Sequence, residues 1–230
     1  MSKNYGKLIQ PETKKIIATA CWHTGAFYTN FEEPFTLRSG LKSPYYISTE
    51  NILGNPIATN IAMTLATAAM EGVEYDAVAG GELRGALFGK DYATATKKPF
   101  VVVRKKPKGY GKGTNKTDLI NCMREEDIPG KTFLLCEDLI TNGGSKLDFI
   151  EAIRGADGEV KNCLVFVDRL FGGQKALSEV GVELYSMTDL DTIAEVGKDK
   201  EFLTSDQYKS IKEYMEEPGE WDSKWKSKNK

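Results

Sequence analysis

The stretch Lys131–Ser145, KTFLLCEDLITNGGS, decides how the rest of the chain is read. Thr132–Cys136 is a short apolar run bounded by turn residues, the pattern of a buried strand. Two acids follow, Glu137 and Asp138, and then Thr141-Asn142-Gly143-Gly144-Ser145. Leu147, Ile150 and Ile153 recur at helical spacing until Gly155 ends the pattern. The order is strand, carboxylate pair, glycine-rich turn, helix.

That order has a chemical logic. Glycines let backbone N–H groups come close to a phosphate, and a helix N-terminus adds free donors and the positive end of a dipole. The carboxylates stand at the carboxyl end of the strand, where open α/β sheets place their ligands. They would repel a phosphate at contact distance, so their place is beside hydroxyls or a cation. Sugar hydroxyls next to a phosphate fit both halves of the motif. The competing reading is an ordinary β-turn-α junction with an acidic first turn.

Outward from this stretch, 230 residues leave room for one large α/β domain with an appendage, or for two small ones. A hydrophobic share of 40% and a charged share of 28% are those of a globular chain rather than a disordered one. The net charge of −2 argues against a general nucleic-acid binder. Cys21, Cys122, Cys136 and Cys163 are widely spaced, without a CxxC pair or histidines at zinc spacing. They read as reduced thiols, in keeping with a cytoplasmic protein. No apolar run reaches the length of a membrane span, and the N-terminus lacks a signal-peptide core, so no membrane partner is expected. His23, the single histidine, reads as a polar helix-end residue rather than as part of a nucleophilic triad.

Along the chain, residues 8–22 form a plausible amphipathic helix. In Phe27–Ile47 the Ser39-Gly40 turn predicts a hairpin, and Pro44-Tyr45-Tyr46-Ile47 is extended. Asn55-Pro56 opens a helix as N-cap and first residue, with Ile57, Ile61, Leu65 and Ala68 expected as its buried stripe. Strands at 76–80, 100–103, 133–136, 163–167 and 182–185 alternate with helical patterns, one of them following GGELRGALFG. The expected fold class is α/β, a mostly parallel central sheet flanked by helices, with ligands at its carboxyl edge. Residues 1–55 read as an N-terminal helix and small hood, 56–200 as the core, and 201–230 as a C-terminal helix and tail. The tail's WDSKWKSKNK could bind a membrane surface or partner helix, but a frayed or docked tail is preferred. Arg104–Lys116, RKKPKGYGKGTNK, holds six cations and no acid; a solvated lysine loop or a nucleic-acid patch would fit that composition, but between two strands that flank a phosphate site it reads as a lid for a polyanion.

The 131–145 stretch resembles the phosphoribosyl-diphosphate (PRPP) motif of type I phosphoribosyltransferases, in which a strand runs into two acids and a Thr/Gly/Ser-rich loop. That resemblance implies that Glu137 and Asp138 contact the ribose hydroxyls, while Thr141, Asn142, Gly143, Gly144 and Ser145 hold the 5′-phosphate. Three further stretches narrow it. FTLRSGLKSPYY (35–46) resembles the orotate-site signature of the orotate phosphoribosyltransferases, RKKPKGYGKG resembles their catalytic loop, and Val167-Asp168-Arg169 resembles the strand end whose arginine holds the orotate carboxylate.

The resemblance implies transfer of the phosphoribosyl group of PRPP to orotate, with Mg2+ carried on PRPP rather than in a protein cage, and a homodimer. It assigns catalytic roles to Arg104, Lys105, Lys108, Tyr110 and Asp138, and substrate contacts to Arg38, Lys42, Tyr45, Tyr46, Arg84 and Arg169. Arg38 and Arg84 stand where the family usually has lysine, and Tyr110 where it has histidine; a phenol donates a hydrogen bond but is a poor proton shuttle near neutral pH. The alternatives are a phosphoribosyltransferase for another base and a non-catalytic PRPP-binding regulator.

Overall fold

The computed structural model describes residues 9–37, 39–104 and 120–228. Pro11–His23 forms α1, with proline at the first turn where its missing N–H is harmless. Four short strands follow: Phe27–Thr29 (β1), Phe35–Thr36 (β2), Lys42–Ser43 (β3) and Tyr45–Ile47 (β4). β2 and β3 form the expected hairpin across Ser39-Gly40, and β1 pairs antiparallel with β4. Glu50–Leu53 (α2) leads to Pro56–Ala69 (α3), whose N-cap Asn55 accepts hydrogen bonds from the N–H groups of Ile57 and Ala58.

The core then alternates: Ala77–Gly81 (β5), Arg84–Thr96 (α4), Phe100–Val103 (β6), Ile120–Asn121 (β7), Thr132–Ile140 (β8), Gly144–Gly155 (α5), Glu159–Asp168 (β9), Gly173–Glu179 (α6), Glu183–Asp189 (β10) and Leu190–Asp199 (α7). Ser205–Glu216 (α8) and Pro218–Lys228 (α9) complete the described residues. The sheet order is β10-β9-β8-β5-β6-β7, parallel except for β7. The chain therefore moves outward from β5 to β6 and re-enters on the other side of β5 at β8. The loops after β5 and β8 diverge there, and doubly wound sheets open a ligand crevice at such a point. Two buried cores, one on each face, cover the sheet, so β8 reads as an almost unbroken buried run. Among the described residues no helix is long and apolar enough to cross a membrane.

Two sequence expectations are revised and one open choice is resolved. β8 does not stop at Cys136 but runs to Ile140, so Glu137 and Asp138 are strand residues. The buried face of α3 is Ala58, Ala62, Met63 and Ala66, whereas Ile57 is 73% exposed and Ile61 43% exposed. α3 is apolar nearly all round, so periodicity alone could not choose its face; the small alanines are the side that lies against the core. Of the two forms expected for the tail, the docked one is realised: Pro218–Lys228 is the helix α9, held by buried Trp221 and Asp222.

Candidate active site

A cleft of about 1120 Å³ opens at the β5/β8 switch point. Its walls come from the hood, the loops after β5 and β8, the end of β9, and α8. At one end lies the glycine turn. Thr141, Asn142 and Ser145 line the cleft, and Gly143 between them has φ +87°, the left-handed conformation that glycine adopts without strain. Gly143 is the N-cap of α5, Asn142 Oδ1 accepts from the Gly144 N–H, and the amino end of the helix faces the ligand region.

The continuation of β8 explains how the two acids divide. Neighbouring strand residues point to opposite faces. Asp138 turns toward the hood, where the buried Thr49 hydroxyl donates to Oδ2 at 3.0 Å and Arg84 lies 4.0 Å away. Glu137 turns toward α5, where Lys146 Nζ lies 2.6 Å from Oε2. Both partners of this pair are almost fully buried, with side chains 9% and 5% exposed. Burial pushes the Glu137 carboxyl up from the usual range, against the opposing pull of Lys146. Its Oε1 is buried with no hydrogen-bond partner. Two glycines make room for that oxygen: a Cβ on Gly81 would fall 2.2 Å from it, and one on Gly85 1.9 Å.

At the other end Arg169 is held in an aromatic frame. Its backbone N–H donates to Ile140 O, and its guanidinium donates to Tyr45 Oη at 3.1 Å. The guanidinium carbon lies 5.4 Å from the Tyr45 ring centre and 5.5 Å from that of Phe171. Tyr214 from α8 meets both rings edge-on. Burial, opposed by Arg169, pushes the Tyr45 phenol up to about 12, so it stays neutral and can accept the bond. Arg169 Nε is buried without a partner, a donor left over for a ligand.

Of the remaining expected residues, Arg84 lines the cleft and pairs with Glu50. Partial burial works against its charge, but Tyr46, Glu50 and Asp138 hold it above the ordinary guanidinium range. Burial also pushes Glu50 up, yet its own backbone, Ser48 and Arg84 together bring it below the usual carboxylate value. Arg104 sits at the rim, 3.2 Å from the cleft residue Glu82. Tyr46 lines the cleft; Lys42 does not, because its ammonium turns to Thr36 Oγ1 at 3.0 Å and the Trp225 ring. Arg38, Lys105, Lys108 and Tyr110 lie outside the described residues. Sequence reasoning missed Thr49, Lys146, Phe171 and Tyr214. Lys146 lies one residue past the glycine turn and Phe171 two residues past Arg169, whereas Thr49 and Tyr214 come from distant segments.

Against known families, residues 48–182 match the phosphoribosyl transferase domain. The chain is 35% identical to the orotate phosphoribosyltransferase of Jannaschia sp., over 85% of its length and 86% of the relative's. It is 32% identical to that of Agrobacterium fabrum, over 91% and 90%. The crystal structure of orotate phosphoribosyltransferase from Aeropyrum pernix superposes with a TM-score of 0.69 at 26% identity, covering 82% of this chain and 99% of that one. The glycine turn, the acids of β8 and the framed arginine thus sit on a shared fold, and the chain belongs to the orotate phosphoribosyltransferases of the phosphoribosyl transferase domain family.

Proposed function

We propose that the protein transfers the 5-phosphoribosyl group of PRPP to orotate, giving orotidine 5′-monophosphate and pyrophosphate. One observation carries this reading: the glycine turn at 141–145 and the open Nε edge of Arg169 face a single cleft. The turn suits a phosphate monoester. A planar base bearing a carboxylate suits the other end, its carboxylate on the guanidinium and its ring against Tyr45 and Phe171.

In the reaction, orotate N1 bonds to ribose C1 as the bond from C1 to the diphosphate oxygen breaks. The electron pair leaves with pyrophosphate, and the N1 proton passes to solvent. Positive charge grows on the ribose, so positioning and electrostatics supply the catalysis. Asp138, fixed by Thr49, is placed to accept from a ribose hydroxyl, and Arg84 and Arg104 to meet the diphosphate. Lys105, Lys108 and Tyr110 join them by their position in the loop motif, and Arg38 by the hood signature. Magnesium would come bound to phosphate oxygens and water and would neutralise part of the leaving charge. The lining fits such an ion: Glu82 is a hard oxygen donor that would meet it through water.

In this reading residues 1–55 form the hood over the base, 56–200 the core, and 201–230 the closing helices. A homodimer in the cytoplasm completes it. Ile57 and Ile61 on α3, Leu87 on α4 and Leu83 just before it are exposed, an apolar area that a second copy would cover, and the buried cysteines are free thiols, as in a reducing compartment. Neither nucleic acid nor a membrane has a part. The test is the ultraviolet absorbance of orotate with protein, PRPP and magnesium. Loss of the orotate band that requires both PRPP and magnesium is the expected result. A flat trace from folded protein that still binds PRPP overturns the choice of base.

A further inference from the structure

We propose that Lys146 is a positioning residue of the phosphoribosyl site: its ammonium fixes the charge and direction of Glu137, so that the free Oε1 of that carboxylate is kept for the sugar. This deepens the function proposed above and rests on it for the identity of the ligand.

The geometry is that of a built site. Lys146 Nζ takes one carboxylate oxygen, Oε2, at 2.6 Å, and leaves the other bare. The bare oxygen occupies a notch that exists only because residues 81 and 85 have no Cβ. Glu137, Lys146 and Gly85 all line the cleft, so the notch belongs to the ligand's wall and not to a remote core. A buried acceptor without a donor costs stability, so its retention beside a cleft points to a donor that arrives with the ligand. A ribose hydroxyl is such a donor.

Without Lys146 this carboxylate would lean toward the neutral acid, because burial and the neighbouring Asp138 charge on the same strand push that way and only the Gly81 N–H acts against them. The nearby thiols, Cys163 on β9 and Cys136 on the opposite face of β8, are themselves pushed up by burial and bring no positive charge. From α4 only Gly85 reaches it, since Arg84 pairs with Glu50 and Asp138. Among the described residues the cation paired with Glu137 is thus Lys146, one residue beyond the phosphate turn. A protonated Glu137 would place an O–H donor where the sugar needs an acceptor.

The experiment compares wild type, Lys146→Met, Lys146→Arg and Glu137→Gln. It follows PRPP binding by calorimetry and pyrophosphate release, each from about pH 5 to about pH 9. Binding that needs ionised Glu137 weakens as pH falls through its pKa. In Lys146→Met that acid limb should move upward by about one pH unit or more, roughly a fivefold or larger loss at the pH of the wild-type midpoint, with binding recovered at the alkaline end. Lys146→Arg should return the limb toward its original position, and Glu137→Gln should abolish it. An unmoved limb in folded Lys146→Met, or a loss equal at every pH, overturns the proposal and leaves Lys146 a packing residue. If Lys146→Met does not fold, Lys146→Gln takes its place with the same criteria. The calorimetric arm is independent of the base: a wild type that binds PRPP but releases no pyrophosphate with orotate overturns the assigned reaction, while the shift of the limb still decides the role of Lys146.

Discussion

At the scale of single residues, the site works by leaving donors and acceptors open. Arg169 is held by Tyr45 on one amino group and framed by two rings, yet its Nε has no partner. Replacing Arg169 with Gln removes the charge but keeps a donor. The expected outcome is a KM for orotate raised roughly tenfold to a hundredfold, the worth of about 1.5–3 kcal/mol for a hydrogen bond to a charged group, with the KM for PRPP changed far less. Steady-state kinetics varying each substrate in turn checks this, and equal changes in both constants would remove Arg169 from the base end. The pair Glu137 and Asp138 shows how one residue of strand length changes chemistry. Because β8 continues through them, they serve opposite faces of the sheet and acquire different partners, Lys146 and Thr49.

At the scale of elements, α9 is the piece whose role was least visible beforehand. It lays Trp221 into the aromatic cluster against Tyr214, and Asp222 Oδ1 accepts the Lys42 N–H of the hood at 2.9 Å. Trp225 Nε1 donates to Phe31 O at 3.1 Å. Trp221→Ala should cost about 3–5 kcal/mol by the loss of a buried aromatic, read as a lower denaturation midpoint. Because Tyr214 lines the cleft against Tyr45, the same variant should raise the KM for orotate; a destabilised protein with unchanged KM would separate α9 from the site. The sheet, the glycine turn and the Asn55-Pro56 helix start were legible because each depends on a few consecutive residues: period, turn chemistry, a cap. The face of α3 was not, since Ile57 and Ala58 are equally apolar and only the neighbouring helices choose between them. Thr49 and Tyr214 were invisible for a related reason. Their roles are set by Asp138 and Tyr45, which lie far along the chain, and no local pattern encodes that meeting.

At the scale of the whole molecule, the strand order fixes where the cleft opens, and the exposed Ile57 and Ile61 are the surface on which the proposed dimer would form. If Ile57 and Ile61 cover one another's subunit, a charge placed there should dissociate the dimer. Ile57→Glu is expected to shift sedimentation toward the monomer at micromolar protein while leaving the far-ultraviolet circular dichroism intact, and an unchanged sedimentation coefficient would place the interface elsewhere. The docking of α9 on the hood has a further consequence. Lys42 and Phe31, near the start of the chain, are tied to Asp222 and Trp225, 180 and 194 residues later. During synthesis the central sheet and α8 can form while the hood still lacks its brace. A ribosome that stalls before residue 221 would thus release a chain with every cleft-lining side chain but an unbraced hood, and full-strength turnover would report that translation had run through this helix.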